Sequence, residues 1–215
     1  MKTMNKPMQP VSLRSELGQS FRTNGFYAAP ILSGAMGISV PVIAATTLRN
    51  GVIISLIFAL MLIPVCVISS LCFAYLPKYL RIVAIVLVAS IIFTGASELV
   101  QTFFGRASSL YQIYAPLLIV SSLLVSRADQ FAVRQKVGVA AADSVACAIG
   151  FALVSCAVGA VRELLGSGTI YGARVFEVFG QNRIAQMPFF GFLVLGFLAA
   201  AAKGLRLHRE KKQQR

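Results

Sequence analysis

Acidic side chains beside long apolar stretches are the groups of this 215-residue chain best placed to do chemistry. Glu98 interrupts one apolar run, and only seven residues lie between it and Arg106. An ionisable group is costly inside a bilayer unless it faces a cavity, a partner or the headgroups, and the position of Glu98 favours the headgroup region. Asp143 precedes another run, where it is expected either to pair with a basic group or to line an ion path. Glu163 follows Arg162 and precedes a glycine-serine-glycine turn, so it is expected to cap a helix end at the outer surface.

Cysteines are the other candidates for chemistry. The chain has four of them, Cys66, Cys72, Cys147 and Cys156, and all lie within or at the ends of apolar runs. Small thiols in such surroundings usually pack as hydrophobic side chains. Neither pair has the two-residue separation typical of metal sites. We therefore assign no metal and no catalytic role to them.

The acidic residues and cysteines lie in or beside apolar segments that are long enough to cross a bilayer, so these segments determine where they lie in the fold. Five runs contain no Lys, Arg, Asp or Glu, and a sixth is interrupted only by Glu98. In chain order the runs are Thr23–Leu48, Asn50–Pro77, Ile82–Gly105, Ala107–Ser126, Ser144–Val161 and Ile184–Ala202. A membrane helix needs ~20 apolar residues. The sequence thus predicts an all-α polytopic membrane domain of six transmembrane helices over residues 23–203, between a cytoplasmic arm, 1–22, and a basic cytoplasmic tail, 204–215.

Composition and charge support this class of protein. With 57% hydrophobic and 13% charged residues and a mean hydropathy of +0.78, a soluble domain would expose large apolar patches. The net charge of +13 does not indicate nucleic-acid binding, because the basic residues follow the sides of the membrane. Six spans place fifteen of the twenty basic residues on one side. The positive-inside rule therefore predicts cytoplasmic N- and C-termini.

Two prolines predict interruptions of the first and fourth helices. Pro41 falls in the middle of the first run, close to Gly34 and Gly37, and Pro116 lies near the centre of the fourth. Proline removes a helix hydrogen bond and clashes with the preceding turn. Paired interruptions in two halves are typical of an inverted repeat with a site at the membrane midplane, here residues 23–105 and 106–203. Alternatively, the two prolines only kink packed helices.

Several motifs resemble the RnfE/NqrD (RsxE) family. Residues 161–172 read VRELLGSGTIYG, similar to the family's R-E-L-L-G-S-G-x-L-F-G. Residues 127–132, RADQFA, resemble its R-A-E-A-F-A, and residues 77–82, PKYLRI, its I-P-x-x-I-R-I. With residues 29–32 and 44–48, the resemblance covers nearly the whole chain after the arm. It implies a six-span inverted-repeat subunit of the ion-translocating ferredoxin:NAD oxidoreductase or the sodium-translocating NADH:quinone oxidoreductase.

The resemblance also implies a cofactor, whose ligands differ in this chain. Family members carry one cysteine in each broken helix, and with two cysteines of a sister subunit, RnfA/NqrE, these hold a [2Fe-2S] cluster at mid-membrane. Here the corresponding positions are Ser39, in Gly-Ile-Ser, and Ser122, in Val-Ser-Ser. Serine hydroxyls are poor substitutes for the thiolates that stabilise such clusters. Ser39 and Ser122 are therefore the candidate cofactor positions, with cluster ligation in question.

The resemblance implies a function in a membrane complex. The chain would pair with an RnfA/NqrE-like subunit in a bacterial or archaeal cytoplasmic membrane and form part of a path for electrons and ions. Flavins and other iron-sulfur centres would belong to other subunits, and the chain alone would not be an enzyme. Asp143 and Glu98 are candidates for the ion path or an interface. The alternative is a six-span component of a small-molecule transporter of the vitamin-uptake type, in which Pro41 and Pro116 would frame a substrate pocket.

Overall fold

The computed structural model describes residues 37, 39–73, 76–104, 113–170, 173–174, 185 and 187–213. The predicted arm, residues 1–22, and most of the first apolar run lie outside these described residues. Within them the fold is helical, with one pair of two-residue strands. The helices are α1 (Ser39–Ala44), α2 (Leu48–Cys72), α3 (Lys78–Phe104), α4 (Ser122–Ser126), α5 (Val137–Ser167) and α6 (Pro188–Gln213). The strands β1 (Thr169–Ile170) and β2 (Ala173–Arg174) pair antiparallel.

The apolar helices confirm that the chain is a multi-pass membrane protein. Four segments of the described chain are long and apolar enough to cross a bilayer: Leu48–Cys72, Tyr79–Phe104, Ala115–Arg134 and Val137–Ser167. The first part of α6, Pro188–Ala201, is a shorter apolar helix. These segments correspond to the second to sixth predicted runs. The first run is described only at Gly37 and from Ser39 onward, where it forms α1 and the turn that leads into α2.

The interruption of the first run is not at the predicted proline. Gly37 has a φ of 72°, in the left-handed region that favours glycine, and α1 begins two residues later. Pro41 is the third residue of α1. In the first turn of a helix the N–H that proline lacks would have no helical partner, so proline is tolerated there. The placement of the break at Pro41 was therefore wrong, because Pro41 belongs to the start of the half-helix.

The interruption of the fourth run is likewise displaced from its proline. Pro116 lies in a 3₁₀ helix, Ala115–Leu118. The chain becomes extended at Ser121, with φ −63° and ψ 134°, and the Ser121 Oγ accepts a hydrogen bond from the Leu124 N–H at 3.3 Å. This N-cap starts α4, which continues as a π-helix, Arg127–Phe131, and a 3₁₀ turn, Ala132–Arg134. The break thus lies five residues after Pro116.

Helices α2 and α5 form the centre of the molecule. The Phe58 and Phe151 rings stack with their centroids 4.2 Å apart. Two glycines permit a close backbone approach. A Cβ built on Gly159 would lie 2.7 Å from the Thr47 carbonyl oxygen, and one built on Gly51 would lie 2.9 Å from the Ser155 carbonyl oxygen. Both contacts are with backbone atoms, so a larger side chain would force the helices apart.

We therefore expect Gly159→Ala to lower stability by about 1–3 kcal/mol, the usual cost of overpacking. Gly138→Ala is the matched control on the same helix, because a Cβ there meets nothing within 4 Å. Alanine also has the higher helix propensity, so this control should be neutral or stabilising. The measurement is the midpoint of thermal denaturation in detergent. Equal midpoints for the two variants would contradict the close approach of α2 and α5.

The described contacts place the helix ends in two groups. At one end, the Arg49 Nη2 donates to the Phe104 carbonyl at 3.0 Å and joins the start of α2 to the end of α3. At the other end, the Ser70 Oγ donates to the Gln135 carbonyl at 2.7 Å and joins the end of α2 to the segment before α5. The two loops predicted to be cytoplasmic therefore lie at the same end of the molecule.

The two half-helices pack against opposite halves of the chain. Helix α1 contacts mainly α5 and α6. The segment from α4 to its 3₁₀ turn contacts mainly α2 and α3. Each half-helix thus lies against long helices from the other half of the sequence.

Candidate functional site at the half-helix junction

The interruptions of the first and fourth runs meet in space. The Gly37 N–H donates a hydrogen bond to the Ser122 Oγ over 2.9 Å, although 85 residues separate the two in sequence. A Cβ built on Gly37 would lie 2.8 Å from the Cβ of Leu123. The absence of a side chain at Gly37 is therefore required both by its left-handed backbone and by this contact. We refer to the contact between Gly37 and the first residues of α4 as the junction.

The junction brings the two predicted cofactor positions close to each other. Ser39 is the first residue of α1 and Ser122 is the first residue of α4. Both side chains are exposed on the surface of the isolated chain. Helix N-termini carry unpaired N–H groups and a partial positive charge. The junction therefore presents two serines at adjacent half-helix starts.

The donors at the junction do not fit the iron-sulfur cluster that the resemblance implies. Such clusters are held by thiolates, with histidine in some centres. All four cysteines lie on the long central helices, Cys66 and Cys72 on α2 and Cys147 and Cys156 on α5. Within the described part of the chain, no three His, Cys, Asp or Glu side chains are grouped to hold a metal ion. We therefore derive no step through a cluster on this chain.

Arg162 anchors the other end of α1. Its side chain is 0% exposed, although it is charged and among the largest in the core. The Nη1 donates to the carbonyls of Val42 and Ala45, and the Nε and Nη2 donate to those of Ala185 and Met187, at 3.2 and 3.3 Å. The last carbonyls of a helix have no helical partner, and a cation there is favourable. Arg162 thus caps α1 and joins it to the chain that enters α6.

Glu163 caps the helix that follows α1. The prediction that it caps a helix end is confirmed, but the expected place at the surface was wrong, because the side chain is buried, with 5% exposure. Its Oε2 accepts a hydrogen bond from the Leu48 N–H at 2.7 Å, at the first residue of α2, and its Oε1 accepts one from the Thr169 Oγ1 at 3.3 Å. A carboxylate at a helix N-terminus is stabilising. Consecutive residues of α5 therefore cap the end of α1 and the start of α2.

The sequence could have indicated these two roles. An Arg-Glu pair inside the last turns of a 31-residue helix must leave the membrane or find polar partners. Gly168, with a φ of 64°, ends α5 as the glycine-rich motif predicted. What the sequence could not show is that the partners include backbone groups of α1 and α2, more than 110 residues earlier in the chain.

Asp143 pairs with a basic group, the first of the two roles predicted for it. Its two carboxylate oxygens accept from the Arg127 Nη1 at 3.3 and 3.1 Å. The Asp143 side chain is 3% exposed and that of Arg127 is 18% exposed. Arg127 begins the π-helix, a feature often found at functional sites, and its guanidinium lies 5.9 Å from the centre of the Phe131 ring. The pair therefore ties the segment after α4 to α5.

Glu98 does not belong to either of the two segments that form the junction. It is on α3, six residues before the last residue of that helix, and is exposed. Of the four candidate spans, the one in α3 is the least buried. Only 17% of its most apolar stretch is buried, compared with 56% for the spans in α2 and α5. Glu98 thus belongs to a surface of the isolated chain that consists mostly of apolar side chains.

A separate cavity of about 390 Å³ lies between α2 and α5. Phe104 lines it together with apolar residues of the two helices, and its polar lining groups are Ser55 and Cys156. Neither Pro41 nor Pro116 lines it. This cavity is therefore not the proline-framed substrate pocket expected for a transporter.

Comparisons with known proteins agree on one family. Residues 18–199 match the Rnf-Nqr family, described as Rnf-Nqr subunit, membrane protein. The chain is 31% identical over 186 residues to the E-type subunit of the ion-translocating oxidoreductase complex of Shewanella oneidensis, a match that covers 80% of each protein. It is 30% identical over 189 residues to the protein of the same name in Shewanella piezotolerans, covering 80% of this chain and 81% of the relative. A third such protein, from Shewanella sp. strain ANA-3, is 32% identical over 176 residues, covering 74% and 75%.

Proposed function

The chain belongs to the Rnf-Nqr family of membrane subunits, and we propose that it is the E-type subunit of an ion-translocating oxidoreductase complex. In this complex it pairs with an RnfA/NqrE-like subunit and contributes to the membrane path of electrons and ions. The observation that carries the proposal is the match over residues 18–199, which includes every described apolar helix as far as the middle of α6.

The family-like motifs have physical roles in this fold, which supports carrying the function over. Arg162 and Glu163 of the VRELLGSG motif cap α1 and α2. Arg127 of the RADQFA motif pairs with Asp143, and Asp129 of the same motif pairs with Arg81 at 3.5 Å. The motifs therefore coincide with the contacts that hold the broken helices against the long ones.

An inverted repeat of two three-helix halves is part of the proposal. It is supported by the exchange of half-helices, since α1 packs on α5 and α6 while the α4 segment packs on α2 and α3. The ends of α2 and α5 also have corresponding roles. Ser70, near the end of α2, donates to the Gln135 carbonyl beyond the α4 segment, and Arg162, near the end of α5, donates to the Ala45 carbonyl beyond α1.

The orientation we propose has both termini in the cytoplasm of a bacterial or archaeal cell, with the chain in its cytoplasmic membrane. Arg49 and Arg162 lie at the end that would face outward, and the loops with Arg81 and Arg134 lie at the other end. The end with more basic residues faces inward under the positive-inside rule. Helix α6 extends through Gln213 into the basic tail.

Pairing with other subunits is supported by the surfaces that the isolated chain leaves open. Glu98 is exposed on the poorly buried α3, and a carboxylate facing lipid is costly. Ser39 and Ser122 are exposed at the junction. A neighbouring membrane subunit would cover polar groups that the bilayer cannot hydrate. The alternative of a vitamin-type transporter is not retained, because the family match disfavours it.

The test is purification of the chain, tagged at its C-terminus, from its native membrane in mild detergent. We expect a second Rnf-Nqr family membrane subunit and flavin- or iron-containing subunits to co-purify in constant proportion. The test variant is Glu98→Lys, compared with the wild-type chain. It places a charge of opposite sign on the exposed face of α3 and should weaken this association without unfolding the chain. Isolation of the wild-type chain with an ATPase pair would contradict the proposal.

A further inference from the structure

We propose that the junction is a hydrogen-bonded joint that needs no metal, so that this chain contributes no ligand to a mid-membrane iron-sulfur cluster. This inference rests on the proposed function, because it concerns the same subunit within the same complex. It assigns Ser122 to joining the two half-helices and leaves Ser39 without a part in that joint.

The first support is the bond that Ser122 already makes. Its Oγ accepts from the Gly37 N–H at 2.9 Å, and Gly37 is buried. If the hydroxyl turned away to bind a metal, this N–H would lose its partner in a membrane interior without water. Unpaired backbone groups are strongly disfavoured there. The side chain therefore has a structural use that competes with ligation.

The second support is the direct contact of the two turns. A Cβ on Gly37 would lie 2.8 Å from the Leu123 Cβ, closer than real Cβ contacts. The two interruptions are thus already in van der Waals contact at this point. No bridging group is needed to hold them together, and the hydrogen bond and the packing together define their relative position.

The third support is the chemistry of the donors. Serine hydroxyls are not ionised at neutral pH, whereas cluster ligands are thiolates. Cys66 and Cys147 are buried among the residues of α2 and α5, and neither belongs to a half-helix. Any electron transfer across the membrane through this part of the complex would therefore use centres held by other subunits.

The joint and a cluster predict different behaviour of the two serines. In a cluster site Ser39 and Ser122 are equivalent ligands, so replacing either would remove iron. In the hydrogen-bonded joint only Ser122 has a partner within the described part of the chain. Ser39→Ala is therefore the matched control for Ser122→Ala, and Ser122→Thr restores the hydroxyl.

The experiment measures iron, acid-labile sulfide and the electron paramagnetic resonance spectrum of the reduced, purified complex containing each variant. We expect all variants to keep the iron content and spectrum of the wild type. We also expect Ser122→Ala to lower the thermal midpoint by roughly 2–4 °C, with Ser39→Ala unchanged and Ser122→Thr close to wild type. Loss of about two iron atoms per complex in either alanine variant would overturn the inference, as would equal midpoints for Ser39→Ala and Ser122→Ala.

These readouts separate the joint from the proposed function. If the chain fails to co-purify with other subunits, the proposed function fails. The thermal comparison of Ser39→Ala with Ser122→Ala can still be made on the full chain alone in detergent, and its outcome decides whether the joint exists.

Discussion

Replacement of Arg162 by methionine is expected to destabilise the chain by about 3–5 kcal/mol, the largest effect of any single substitution considered. Methionine keeps much of the apolar volume and removes the cost of a buried charge. It also leaves the carbonyls of Val42, Ala45, Ala185 and Met187 without these donors. In a membrane chain no water replaces them, so the loss of the bonds outweighs the relief of burying the charge.

The measurement is thermal denaturation in detergent, followed by size-exclusion chromatography, and the expected shift of the midpoint is roughly 10 °C. Arg134→Met is the matched control, because Arg134 is exposed and its loss should have little effect. Arg162→Lys should retain only part of the stability, because an ammonium group cannot reach the carbonyls of both segments as the forked guanidinium does. Similar midpoints for Arg162→Met and Arg134→Met would show that the carbonyls do not depend on Arg162.

Replacement of Asp143 by leucine should destabilise the chain by about 2–3 kcal/mol, less than the ~3–5 kcal/mol that breaking a fully buried ion pair costs. The substitution removes the carboxylate that faces Arg127 and leaves a guanidinium beside α5. The effect is smaller here because the Arg127 side chain is 18% exposed and is partly hydrated. The more distant pair of Arg81 and Asp129, at 3.5 Å, is the comparison, and Asp129→Ala should cost less. The measurement is again the thermal midpoint in detergent.

A double-variant cycle isolates the ion pair. Combining Asp143→Leu with Arg127→Met should recover most of the lost stability, since an apolar pair of similar volume often replaces a buried ion pair without loss. Additive losses in the double variant would show that the two residues act independently. Ion uptake by the recovered double variant then tests the second role predicted for Asp143. Retained uptake assigns Asp143 to the pair alone, and lost uptake in a stable variant shows that ion movement needs the Asp143–Arg127 pair.

The sequence predicted the long helices well because their physical signal is simple. Apolar runs of about twenty residues with at most one charged side chain have few folded solutions in water, and α2, α3 and α5 cover three of the predicted runs. The existence of the two interruptions was also predictable, from proline and glycine within those runs. Their exact positions were not, because a proline in the first turn of a helix and a proline in its interior look the same in sequence.

The tertiary partners of charged residues could not be predicted from the sequence. Glu163 was expected at the outer surface because a carboxylate beside glycines resembles an ordinary helix end. Its burial depends on the Leu48 N–H, a backbone group that carries no side-chain signal. The pairing of Asp143 was one of two predicted alternatives, and only the fold brings Arg127 within 3.1 Å. The meeting of Gly37 with Ser122 likewise results from packing between distant segments.

The most direct test of the proposed function is reductant-driven ion uptake by inverted membrane vesicles from a strain lacking this chain. Vesicles are energised with NADH, whose electrons the membrane quinone accepts, and in parallel with reduced ferredoxin plus NAD⁺ as the acceptor. Uptake of Na⁺ and H⁺ is recorded with and without the restored wild-type chain. We predict that uptake of one ion is lost on deletion and returns with the wild-type chain, but not with Arg162→Met. Unchanged uptake of both ions in the deletion strain, with either donor, would contradict the assignment of this chain to an ion-translocating oxidoreductase.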